Sequence, residues 1–174
     1  MHFNHDGREA VCLGVDLANR WPPNLPALIS RCTDAGLVFD AQQPTSDDHE
    51  FMASFIAAWR NVAEETRPEA RADRLNALLG TYAAPPRLTD HASTGWHLHF
   101  RDDNVTAGNS LAALIATGTA FHLAARGIDR LGVCAAANCD DLFADTSRNG
   151  RQRYCSPKCG NRMAVRRYRD AAYA

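Results

Sequence analysis

The chain has no apolar run approaching the ~20 residues that cross a bilayer as a helix, so no membrane span is expected. Its opening, Met1-His2-Phe3-Asn4-His5-Asp6, is neither basic nor apolar and does not read as a secretory leader. A reducing cytoplasm is the expected setting. There is no glycine-rich phosphate loop, no Gly-x-Ser-x-Gly elbow and no His-Glu-x-x-His run, so the expectation is a protein that is not an enzyme. Acid is missing from residues 146–169, which hold Arg148, Arg151, Arg153, Lys158, Arg162, Arg166, Arg167 and Arg169. That segment is +8, whereas residues 1–145 carry 19 acids against 11 arginines and are −8, so the net charge of −1 hides two opposed regions. With 45% hydrophobic and 22% charged residues, 174 residues suffice for one ordinary domain plus a small appendage.

What the chain does have is cysteine in a pattern. Four residues separate Cys134 from Cys139, fifteen residues follow, and three separate Cys155 from Cys159. Two close pairs at this separation read as a four-thiolate zinc site, because zinc takes four soft donors at tetrahedral corners and two loops can supply them. Four buried structural cysteines or two disulfides are the alternatives. Leu142-Phe143 before and Tyr154 after Asn149-Gly150 predict a hairpin between the pairs, with a tight type I′ turn at its tip. Ser156 as N-cap and Pro157 at the first helical position predict a helix that begins at the second pair. Loop, hairpin and cysteine-bearing helix make a treble-clef-like finger. With every ligand position filled by cysteine the single zinc would be structural. Cys12 and Cys32 read as small buried hydrophobes.

Asp145-Thr146-Ser147-Arg148, Tyr154-Cys155-Ser156 and Cys159-Gly160-Asn161-Arg162 resemble the CGNR zinc finger family. Its members are bacterial proteins described as stress-induced transcription regulators that pair the finger with an N-terminal ABATE domain. Leu13-Gly14-Val15-Asp16-Leu17-Ala18-Asn19 and Trp96-His97-Leu98-His99-Phe100 are more loosely similar to that N-terminal part, with Arg20 where the family often has threonine. The spacing of Cys155 and Cys159 is one residue shorter than in many members. The resemblance implies an ABATE-like domain over residues 1–130 and a finger over residues 131–174.

The body reads as mostly helical. Helices are expected over residues 10–20, over 24–36 with Asn24 as cap, over 47–66 with Ser46 as cap, and from Pro68 to Leu79 with Gly80 closing it. Phe51, Phe55, Ala58 and Val62 form the expected core stripe of the third, and Leu75, Leu78 and Leu79 that of the fourth, with Arg71 on its solvated face. From Arg87 to Asp102 the period changes. Trp96, Leu98 and Phe100 alternate with His97 and His99, which predicts a half-buried strand with Arg87–His91 pairing back as its partner. Trp96, His97 and His99 are a candidate ligand pocket for an unknown small effector. Asn109 to Arg126 is the most apolar helix and is expected to be central or to line a homodimer. The fold class is therefore α+β, a mostly helical domain with a short hairpin plus the finger.

Lys158, Arg162, Arg166 and Arg169 recur by four, four and three, and so make one basic stripe on the last helix. With Arg148, Arg151 and Arg153 they are the candidate nucleic-acid contacts, and DNA is the expected partner. One or two arginines would be needed to offset zinc with four thiolates. The alternative expectation is an adaptor whose finger binds an acidic protein or RNA.

Overall fold

The computed structural model describes residues 7–37, 39, 43–90 and 95–172. Within them the chain forms α1 (Arg8–Asn19), α2 (Leu25–Asp34), α3 (Ser46–Glu64), α4 (Pro68–Tyr82), β1 (Arg87–Thr89), β2 (His97–His99), α5 (Ala107–Arg126), β3 (Leu131–Val133), β4 (Leu142–Ala144) and α6 (Pro157–Ala172). The strands make two separate antiparallel pairs, β1 with β2 and β3 with β4. The class is α+β, as expected.

α5 is the central element and packs against α1, α3 and α4. Its small residues set the approach: a Cβ on Gly118 would come within 2.3 Å of the Ala10 Cβ. Trp59 of α3 is fully buried. Its indole N–H donates to the Thr119 hydroxyl at 2.9 Å, and that hydroxyl donates to the Ile115 carbonyl at 2.7 Å, so both buried side chains have their polar groups matched. The stripe of α3 that meets the core is Met52, Phe55, Ile56, Trp59, Val62 and Ala63. It is rotated from the expected one, with Phe51 and Ala58 at its margin.

Local signals explain the helix limits. Asn24 accepts from the Ala27 N–H at 3.0 Å and starts α2. The cap of α3 is Thr45 and not Ser46, because Thr45 and Asp48 complete a reciprocal capping box. Asp48 also accepts from the Gly108 N–H at 2.8 Å, so one buried carboxylate serves the first turns of both α3 and α5. α4 runs past Gly80 to Tyr82. Arg71, expected on a solvated face, is 6% exposed and bonds the carbonyls of Val62, Ala63, Glu65 and Ile128. It thereby satisfies the open carbonyl end of α3, a demand that helical spacing does not reveal.

The first hairpin pairs Arg87 with His99 and Thr89 with His97, as expected, while His91 lies outside the described residues. Trp96 is 72% and Leu98 42% exposed, and the two histidines are half-buried. Phe100 packs edge-to-face against Phe121. Cys32 is buried as expected, but Cys12 is exposed.

Burial opposes the charge on Asp48, yet the hydrogen bonds from Thr45, Gly108 and Thr106 outweigh it and hold its pKa below the ordinary 3.8. A depressed carboxyl contributes stability above its unfolded pKa and loses it as pH falls through the folded value. Asp48→Asn should therefore cost about 1–3 kcal/mol near neutral pH. Denaturant titrations at a series of pH values should show the gap from wild type narrowing below about pH 4.

Candidate metal centre

β3 and β4 form a hairpin whose turn carries the first cysteine pair. Leu131 pairs with Ala144 and Val133 with Leu142, and the Cys134 N–H extends the ladder to the Asp141 carbonyl at 2.8 Å. The expected hairpin thus lies around Cys134 and Cys139, not between the two pairs. Leu131 and Leu142 are buried in the core of the helical body, and the Asn19 side chain binds both the N–H and the carbonyl of Leu142, at 2.7 and 2.9 Å. Asn19 ends the Leu13–Asn19 stretch noted above, and its amide reads a strand edge as another strand would.

Residues 145–154 form a loop instead of a strand–turn–strand, and Asp145 organises it. Its carboxylate accepts from the Ser147 N–H at 2.9 Å, the Ser147 hydroxyl at 2.5 Å and the Gln152 N–H at 3.1 Å, and it pairs with Arg130 at 3.3 Å. Burial opposes its charge, but these bonds and Arg130 hold its pKa below the ordinary value. Gly150 alone of the expected turn pair has positive φ, at 66°, and a Cβ there would strike the Arg130 guanidinium at 2.4 Å. An aspartate two residues before a serine is an Asx-turn signal, and it was the available clue to this loop.

α6 begins as predicted. The Cys159 N–H bonds the Ser156 hydroxyl at 3.3 Å, with Pro157 the first helical residue. Cys134, Cys139, Cys155 and Cys159 converge, with all four sulfurs within 4.8 Å of one another. The separations Cys139–Cys155, Cys155–Cys159 and Cys159–Cys139 are 3.7, 3.7 and 3.8 Å. These far exceed a disulfide bond of about 2.05 Å. They match the edge of a sulfur tetrahedron around zinc, about 3.8 Å for Zn–S bonds of about 2.3 Å. The four cysteines are positioned to bind one zinc ion. The Ser156 hydroxyl beside Cys159 holds that thiol below its ordinary pKa, while burial pushes the Cys155 thiol up. A bound cation would favour the thiolate at every corner.

Around the cluster only Ala136, Tyr154 and Met163 add apolar contact, so the finger has little core of its own. Arg162 donates to the Ala137 carbonyl at 3.1 Å and to the Cys159 sulfur at 3.7 Å. Arg167 donates to the Tyr154 hydroxyl at 3.1 Å. Arg148, Arg151, Arg153, Lys158, Arg166 and Arg169 are exposed. Tyr168 is 77% exposed.

Elsewhere, His97 and His99 share one face with their Nε2 atoms 3.0 Å apart, and His97 Nδ1 is 2.7 Å from the Gly95 carbonyl. Trp96 is exposed on this hairpin. No helix among the described residues is long and apolar enough to cross a membrane.

Elemental analysis should find one zinc per chain, and Cys155→Ser should reduce it several-fold. Hydrogen exchange after chelation should show α6 losing protection, because Cys159 is its one buried residue, while α1, α3 and α5 keep theirs. Protection of α6 that survives complete zinc removal would rule out a metal-dependent finger.

No curated protein matches the chain. Residues 130–172, from the arginine that braces the loop to the end of α6, match the family model of the CGNR zinc finger.

Proposed function

We propose that this chain is a transcription regulator that binds double-stranded DNA through its finger, residues 131–174. The body, residues 1–130, would be an ABATE-like domain that senses a signal or dimerises. One observation carries this reading: from Ala164 onward α6 is exposed on every side, and its basic stripe stands clear of the body. Those nine residues to Ala172 extend about 13 Å at a rise of about 1.5 Å each. That length suits a major groove about 12 Å wide. Arg148, Arg151 and Arg153 project from the loop that Asp145 and Arg130 brace, and so add a second, fixed point of contact for phosphate. Val165, 50% exposed, falls within the basic stripe, where it can meet base edges.

A second reading is an adaptor for an acidic protein or RNA. The exposure of Tyr168 beside these arginines favours it, because aromatic and arginine side chains together are typical of protein contact surfaces.

Arg162 and Arg167 are engaged within the finger, which leaves Arg148, Arg151, Arg153, Lys158, Arg166 and Arg169 to meet phosphate. About six such contacts give a fall in affinity of roughly a thousandfold between 50 and 200 mM salt. Fluorescence anisotropy with labelled duplex should show this slope for zinc-loaded protein. Arg166→Glu with Arg169→Glu should abolish binding and leave zinc content unchanged. Undiminished duplex binding by that variant would sink the assignment of α6. No duplex binding by wild type at low salt would move the choice to the adaptor.

A further inference from the structure

We propose that Arg162 is a positioning residue of the metal centre, the counter-charge and brace that joins the two halves of its ligand set. The proposal rests on the four-cysteine site and is independent of what the finger binds. Its first observation is connectivity. One guanidinium nitrogen, Nη2, contacts both the Ala137 carbonyl at 3.1 Å and the Cys159 sulfur at 3.7 Å. Ala137 lies in the turn between Cys134 and Cys139, while Cys159 belongs to the second pair. The same nitrogen therefore bridges two segments of chain that are otherwise joined across the site by the Ala135 N–H to Arg153 carbonyl bond and the Cys155 N–H to Cys134 sulfur bond.

The second observation is charge. Zinc with four thiolates carries a net charge of −2. The Asp141 carboxylate lies 3.5 Å from the Cys155 sulfur and adds to that negative field. Among the described hydrogen bonds to the cysteine sulfurs, Arg162 supplies the cationic donor. Its place follows from helical geometry. Three residues after Cys159 on α6, it lies one turn along and can reach back to the same side. An N–H bond to a thiolate withdraws electron density from sulfur, and partners of this kind orient ligands and tune the metal. A planar guanidinium can serve oxygen and sulfur together, which a lysine ammonium does with less geometric definition.

The test uses the full chain. Zinc-loaded wild type, Arg162→Met, Arg162→Lys and Arg166→Met are mixed with excess chromophoric chelator, and zinc release is followed. Arg162→Met keeps the stem and removes both charge and donors. It should release zinc about tenfold faster or more, as loss of an outer partner typically costs ten- to a hundredfold in metal affinity. Arg162→Lys should fall between the two, and Arg166→Met should match wild type. Cobalt in place of zinc gives a spectroscopic readout: the sulfur-to-metal charge-transfer band should move to lower energy in Arg162→Met, because the donor to sulfur is gone. Zinc release at the wild-type rate with an unshifted band would overturn the proposal. Should Arg162→Met take up no metal, Arg162→Lys decides: an intermediate rate with a shifted band supports the guanidinium role, and wild-type values for both overturn it.

Discussion

Four sulfurs within 4.8 Å of one another repel strongly as thiolates, and a cation bound among them would turn that repulsion into attraction. The C-terminal quarter depends on this. α6 buries only Cys159, and the residues around the cluster are too few to form a core. A sixteen-residue helix with one buried side chain is marginal by itself, since helix nucleation is costly and tertiary packing supplies most helical stability. A bond from Cys159 to a bound metal would therefore do for α6 what an apolar stripe does for α3.

The other half of the finger is anchored differently. Leu131, Leu142 and Ala144 belong to the core of the helical body, Asn19 clamps Leu142, and Arg60 bonds the Asp140 carbonyl at 2.5 Å. The turn that holds Cys134 and Cys139 is thus built on the body and needs the metal less. The metal then fastens the second pair to a platform already in place. Between them, Asp145 and Arg130 hold the loop as a small polar core, each neutralising the other where neither could be buried alone.

Much of this was legible in the sequence, and the failures share a cause. The ligand set, the start of α6 at Ser156-Pro157, the cap at Asn24 and the central role of α5 are local signals, and each was readable from residue type and spacing. The misplaced hairpin shows the limit. Asn149-Gly150 is a strong turn dipeptide, but the Asp145 carboxylate takes the N–H groups that a strand ladder would have used, and Arg130, distant in sequence, packs over Gly150. Arg71 fails in the same way. A helical period says which residues share a face, whereas which face is covered depends on partners elsewhere: the open carbonyls of α3 draw Arg71 inward. Trp59, at the heart of the core, sits to one side of the expected stripe, because a helix buried on more than one side shows no single narrow face.

Charge needs the same distinction between what is counted and what is committed. The eight cations of residues 146–169 are equivalent in composition, but the fold separates them. Arg162 is tied to the cysteine turn and Arg167 to Tyr154, so each serves the finger's own construction. Arg166 meets Asp170 at 3.9 Å in an exposed pair, which is worth little and can be exchanged for a stronger anion at small cost. The body's own acids do not neutralise this surface among the described ion pairs: Arg31, Arg60, Arg67, Arg74 and Arg87 pair with Asp16, Glu64, Glu65 and Asp103 within the body itself. Among the described ion pairs, acids of the body meet arginines of the body, and the exposed cations of the finger stay at the surface. In the proposed reading the distal part of α6, rather than the whole charge count, is the surface on which a partner would act.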